Sequence, residues 1–283
     1  MESKKSKTEF RSSPMQNTFT QNTLLKPVTF HGIGVHSGAP ARVKLCPAGS
    51  DSGIVFVRTD LPGKNNHIRA DWRNVTKTRL CTLLENAEGH SVSTVEHIMA
   101  ALHGTGIDNA RIEIDGPEVP IMDGSAADFY KCIIQTGLKR QSAPRRVLKI
   151  LRAVEFRDPS SGGFARLKPS RIPSYHAVIN FPGTLIGKQE YRVPLTGDNF
   201  AAVADARTFG FRHEVEQLRQ AGLGLGGTLD NAVVVDGYRT LNPQGLRGVD
   251  EFARHKVLDA IGDLYLAGGR IAGSFEGSKA GHA

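Results

Sequence analysis

Apolar residues recur at helical spacing in a few stretches of this chain and at alternating spacing through most of the rest. From Leu24 the pattern runs in short alternating segments, VTFHGIGVHSG, ARVKLCPA and GIVFVRTD, broken by Gly, Pro and Asp; these predict strands and turns. Val95, Ile98, Met99 and Leu102 then share one face of a helix over about Thr94–His103. A strand at Ala110–Ile114 follows, then a helix over about Ala126–Thr136, with Asp123 or Ser125 suited to cap it and Gly137 to stop it. The polar, basic segment LKRQSAPRR at 138–146 predicts a domain boundary. After it the texture returns, with strands near Val147–Phe156, Phe164–Lys168 and Ala177–Phe181 and helices towards the end. HEVEQLRQAG reads as a helix and NAVVVDG as a strand, a small βαβ-like insert between Phe209 and Arg247.

The organisation expected is α+β: a disordered polar extension over residues 1–22, in which Met15 is an alternative start, then two similar layered domains at 23–144 and 145–283. Each half runs strands first and helix last. The repeat is one of element order, without an aligned sequence repeat.

One helical segment carries candidate chemistry. In DEFARHKVLDAIGDLYL, residues 250–266, His255, Asp259, Gly262, Asp263 and Leu266 fall on one side, and Ala253, Val257, Ala260, Ile261 and Leu264 on the side a core takes. An imidazole and a carboxylate four residues apart, turned from the core, reach one ion, and zinc accepts both donor types. A solvated i,i+4 pair has the same spacing. The helix at 94–103 places Glu96 and His97 together in its first turn. Adjacent Glu and His suit a zinc hydrolase, with the imidazole on the metal and the carboxylate taking a proton from the attacking water. Position 101 is Ala, so H-E-x-x-H is absent and His255 with Asp259 would complete the ligand set. Ser93-x-x-Glu96 also fits a capping box.

Bulk properties narrow the setting. Hydrophobic residues make up 39% and charged residues 23% of the 283, as in soluble globular proteins. No apolar run approaches a membrane span and no secretory h-region follows the start. Three cysteines, Cys46, Cys81 and Cys132, are an odd number without metal-type spacing, which predicts a reducing, cytoplasmic setting. The formal charge is +8, and residues 145–283 hold 19 basic against 14 acidic side chains. That excess suits nucleic acid, anionic lipid or a phosphorylated small molecule; no basic run interleaved with aromatics supports nucleic acid.

Several longer motifs, in order, resemble one family: the zinc-dependent UDP-3-O-acyl-N-acetylglucosamine deacetylases of lipid A synthesis. They are STVEHIMAAL at 93–102, GIDNARIEIDGPEVPIMDGSAADF at 106–129, ARTFGF at 206–211, NAVVVDGYRTLN at 231–242, DEFARHKVLDAIGDLYLAG at 250–268 and KAGHA at 279–283. The resemblance implies an active site between the two domains, with His97, His255 and Asp259 holding Zn2+ and Glu96 as general base. It implies that the Thr208 hydroxyl stabilises the oxyanion and that His282 is a charged imidazole assisting amine departure, oriented by Asp263. Asp263 also reads as an ordinary helix acid. Phe209 and Lys256 match positions that contact the sugar or nucleotide, and Lys279 beside His282 suits a diphosphate. The insert would line an apolar passage for the acyl chain, where Gly222, Gly224, Gly226 and Gly227 either allow close backbone packing or mark a flexible turn.

The partner implied is a small UDP-linked acylated glucosamine, with no nucleic acid, no membrane span and a monomeric state. His31, His36, His90 and His103 are expected not to be ligands, and GPEVPIMDGS to be architectural. Cys81, near the metal in the family pattern, is either a ligand to an inhibitory second zinc or a small buried residue. Family members continue for some tens of residues past the Gly-His element, whereas this sequence stops at Ala283; an imidazole beside a chain end is expected to fray. The competing expectation is a catalytically impaired UDP-sugar or glycolipid-binding protein.

Overall fold

The computed structural model describes residues 19–282 except Lys64, Gly197 and Ala280. Of the extension expected at residues 1–22, residues 1–18 therefore lie outside the described residues.

Two five-stranded sheets share one topology. In the first, the strands lie in the order Val28–Ile33, Pro40–Pro47, Ala110–Ile114, Ile54–Arg58, His67–Arg69. In the second, the order is Val154–Arg157, Phe164–Lys168, Ser274–Ser278, Ser174–Phe181, Gly187–Pro194. Each is two antiparallel hairpins joined by a middle strand that arrives last in the chain and makes the one parallel pairing, Ala110–Ile114 with Ile54–Arg58 and Ser274–Ser278 with Ser174–Phe181. Alternation sets the buried face: in Pro40–Pro47, Ala41, Val43 and Leu45 are buried while Arg42 and Lys44 face water.

In both halves an excursion and a helix separate the fourth strand from the middle one. The first half has a small antiparallel sheet, Val75–Lys77, Leu83–Glu85 and Ser91–Ser93, and then helix α1, Glu96–Thr105. Helix α2, Ala127–Thr136, follows that half's middle strand and stops at Gly137 as expected. The second half has α3 (Ala201–Ala204), a strand at Phe209–Phe211, α4 (Arg212–Gln220) and a parallel strand at Val233–Asp236 before α5, Glu251–Tyr265. That is the βαβ insert expected from the sequence.

Helices α1 and α5 pack together inside one continuous core, where Ile98 and Leu102 join Phe56 and Ile112 while Val257 and Leu258 join Tyr175 and Val193. Gly262 sets how close they come: a Cβ there would sit 2.0 Å from the Glu96 carbonyl oxygen. Gly262→Ala is expected to force α5 off the N-terminal turn of α1, cost about 1–3 kcal/mol and lower the melting temperature by several degrees. A thermal melt identical to the parent would show that the helices are not in this contact.

Three local expectations are corrected. Residues 20–22, expected within the disordered extension, belong to a strand, Thr20–Leu24, and that strand pairs with Leu138–Pro144, at the expected domain boundary. Its polar side chains are buried and bonded: Gln21 to Asp51 and Pro144, and Thr23 to the Asn109 carbonyl. Polar composition signalled disorder where the polar groups are satisfied internally. The segment Val147–Phe156 splits into strands at Val147–Lys149 and Val154–Arg157. Finally, α5 does not turn its polar side to water: His255 and Asp259 are as buried as Val257 and Ile261, while Ala260 and Leu264 are only half-buried.

Candidate metal and acid–base site

The site forms where the first turn of α1 meets the middle of α5. No side chain caps α1: the Ser93 hydroxyl donates to the Pro117 carbonyl, so the capping box does not form. That leaves the Glu96 carboxylate, 4% exposed, free to point along α5. Its Oε2 accepts from the Thr82 backbone N–H at 3.1 Å, and the Thr82 hydroxyl donates to Asp263 at 2.6 Å. Thr94, two residues before Glu96, has φ +57°, a region costly for a β-branched residue. Glu118 holds it there, accepting from the Thr94 hydroxyl and from the backbone N–H groups of His36 and Ser37. Neither Thr82 nor Glu118 stood out in the sequence, because each acts through a partner distant in the chain.

His97, His255 and Asp259 converge. Nε2 of His97 lies 3.6 Å and Nε2 of His255 3.4 Å from Oδ1 of Asp259. Nδ1 of His255 is 3.0 Å from the Ala206 carbonyl oxygen and donates to it. Its Nε2 therefore carries a lone pair, and burial pushes its pKa down to about 3, which keeps the ring neutral. Asp259 Oδ1 is buried without a hydrogen-bond partner. The His255 Nε2 lone pair and the unpartnered Asp259 oxygen repel unless a cation lies between them, so the donors fit a metal ion, and two imidazoles with one carboxylate suit zinc. Lys256 Nζ holds the other carboxylate oxygen of Asp259 at 2.9 Å.

Beside this cluster stands a second group, Glu96, Asp263 and His282. Burial raises the Glu96 pKa above the usual carboxylate range. His282 lies against Asp263, its Nδ1 2.9 Å from Asp263 Oδ2 and its side chain 8% exposed. Burial opposes its charge, but the Asp263 carboxylate outweighs it, helped by Glu96 and Asp259, and brings the pKa up to about 9. An open cleft of about 290 Å3 runs beside both groups, with Thr82, Lys256, Asp263 and His282 on one wall and Ala177, Ile179 and Phe275 on another.

The remaining candidates divide. Thr208 follows directly on Ala206 and Arg207, its N–H donating to the Gly124 carbonyl at 2.7 Å and its own carbonyl accepting from Val233 at 2.8 Å. The Phe209 ring packs 6.2 Å from His255 and lies under the Lys256 ammonium at 5.5 Å. Lys279 is not brought in: its amine reaches the Ser161 carbonyl at 3.4 Å instead. Cys81 is buried near Glu96, burial pushes its thiol up to about 12, and it belongs to neither ligand group among the described residues. Gly226 is a close-packing position, since a Cβ there would meet the Gly34 carbonyl oxygen at 2.2 Å.

Among the described residues no helix is long and apolar enough to cross a membrane. A family model described as LpxC, UDP-3-O-acyl N-acetylglycosamine deacetylase, matches residues 21–283. A UDP-3-O-acyl-N-acetylglucosamine deacetylase of Phenylobacterium zucineum is 50% identical over 263 residues, covering 93% of this chain and 89% of the relative. Proteins of the same name from Shewanella baltica and Shewanella oneidensis are 47% identical over 266 residues, covering 93% of this chain and 86% of each relative. With its motifs in family order and its candidate ligand and acid–base side chains gathered where two helices meet, the chain belongs to the UDP-3-O-acyl-N-acetylglucosamine deacetylase family.

Proposed function

We propose that this chain hydrolyses the N-acetyl group of a UDP-3-O-acyl-N-acetylglucosamine as a zinc-dependent amidase, releasing acetate and the free amine in lipid A biosynthesis. The observation that carries the reading is the convergence of His97, His255 and Asp259 next to a buried carboxylate, Glu96. These three would hold the ion, which when bound polarises a carbonyl and makes water more acidic. Glu96 takes the proton from the attacking water, a role its raised pKa favours. The Thr208 hydroxyl donates to the oxygen of the acetyl carbonyl as charge builds there. His282, held charged by Asp263, gives its proton to the glucosamine nitrogen as the C–N bond breaks. Phe209 and Lys256 flank the sugar, and Lys256 also steadies Asp259. Phe181 and Phe211, ring centroids 5.3 Å apart beside the insert, offer an apolar path for the acyl chain.

The test is acetate release from a UDP-3-O-acyl-N-acetylglucosamine by metal-loaded protein, with the free amine measured in parallel. One acetate per amine supports the reading. A folded, metal-loaded protein that binds the substrate and releases no acetate would make it a UDP-sugar-binding protein.

The His282–Asp263 pair also sets a pH dependence. A raised folded-state pKa means the charged imidazole is present below about 9 and lost above it, so kcat is expected to fall as pH rises through about 9. Burial opposes that charge, and Asp263, Glu96 and Asp259 favour it. Asp263→Asn removes the largest favourable partner and leaves burial in place, so the basic limb is expected to move down by roughly 2 pH units. A limb that stays near its parent position in Asp263→Asn would remove His282 as the group responsible.

A further inference from the structure

A buried ion pair that the mechanism does not use lies against the metal-ligand side of α5. Arg207 is 1% and Glu251 0% exposed. Arg207 Nε donates to Glu251 Oε1 at 2.8 Å, and one terminal nitrogen of the guanidinium donates to Oε2 at 3.1 Å and to the Gly245 carbonyl at 2.8 Å. The backbone N–H of Arg247 completes Oε2 at 2.6 Å. Salt bridges this deeply buried are seldom the most stable filling of a core, which directs attention to what this one positions.

The peptide group joining Ala206 to Arg207 gives the answer. Its C=O accepts from Nδ1 of His255 at 3.0 Å, and its N–H donates to Glu251 Oε1 at 3.2 Å. Glu251 and His255 are one helical turn apart on α5, so a single peptide plane is pinned at both ends by side chains four residues apart. Rotation of that plane would remove the acceptor that keeps the proton of His255 on Nδ1 and its lone pair on Nε2. A carboxylate drawing on the N–H also polarises the C=O, strengthening its hold on the imidazole. The next residue is Thr208.

We propose that Arg207 and Glu251 are positioning residues, which fix the Ala206–Arg207 peptide so that it orients His255 as a ligand and Thr208 beside it. The proposal rests on the reading of His97, His255 and Asp259 as the metal site.

The test measures metal affinity by chelator competition in Glu251→Gln and Arg207→Lys, together with the visible spectrum of the cobalt-loaded proteins. Each variant is expected to lose about 10–100-fold in affinity and to change the cobalt spectrum. The double variant is expected to be little worse than the weaker single one, because both changes release the same peptide. Folded variants with parent affinity and an unchanged spectrum would overturn the proposal. Should neither variant fold, nitrogen NMR of His255 in the metal-free parent protein decides. A proton on Nδ1 with Nε2 bare supports the positioning role, and the opposite tautomer overturns it. A parent protein that binds no metal at these three residues defeats the site reading itself, an outcome distinct from a parent that binds and variants that bind equally well.

Discussion

Replacing Glu96 by glutamine is expected to lower kcat for acetate release by about 10²–10⁴-fold while the protein keeps its metal and its fold. Glutamine has nearly the same shape and retains an oxygen to accept from the Thr82 N–H, so the first turn of α1 has no reason to move. It has no proton affinity to offer the attacking water. The loss corresponds to about 2.7–5.5 kcal/mol of barrier, which is the scale of one general base. His97 neighbours Glu96 in sequence and on α1, yet Glu96 is not one of the three proposed ligands, His97, His255 and Asp259, so on that reading metal content should not follow activity down. KM should change little, because Glu96 acts on the water rather than on the sugar or nucleotide. Two results would sink the assignment: near-parent turnover in Glu96→Gln, or turnover lost only because metal was lost.

How much of this was legible in the chain depends on how local each signal is. The two strand-rich halves, the βαβ insert and the spacing of His255 and Asp259 are all written within short windows, where periodicity reports directly on a face. That His97 and His255 meet across the packed helices α1 and α5 came from the order of the motifs rather than from any one of them. Thr82, Glu118 and the Arg207–Glu251 pair stayed invisible because their partners are distant in the chain. Thr82 bonds to Asp263, 181 positions away, and Glu118 reaches Ser37 from 81 positions. Burial was misjudged for the same reason. The polar side of α5 looked solvent-facing, but Glu251, His255 and Asp259 are buried among groups that satisfy or balance them, Arg207, the Ala206 carbonyl and Lys256. Lys279 shows how sequence proximity and side-chain placement can part. It lies close to His282 in the sequence, but a backbone at φ +50° accompanies a side chain that reaches Ser161 instead.

Removing the metal with a chelator is expected to abolish acetate release and to lower the melting temperature, and stoichiometric zinc should restore both. The stability effect follows from what the three ligands face without the ion. Asp259 Oδ1 is buried and has no hydrogen-bond donor, and the lone pair of His255 Nε2 is directed towards it across 3.4 Å. An unsatisfied buried acceptor costs about 1–3 kcal/mol, more when charged. An ion present at a thousand times its dissociation constant adds about 4 kcal/mol to the folded state, provided the unfolded chain does not bind it. In a protein of this size that corresponds to a melting-temperature difference of about 10 °C. Asp259→Asn separates the two effects. The amide can fill the same space and donate to an imidazole nitrogen, so the metal-free variant should melt no lower than the metal-free parent, yet bind zinc far more weakly and turn over little substrate. Undiminished turnover in chelated protein, verified free of metal, would rule out the metal-dependent mechanism. A melting temperature unmoved by chelation would show instead that the buried ligands are satisfied without an ion.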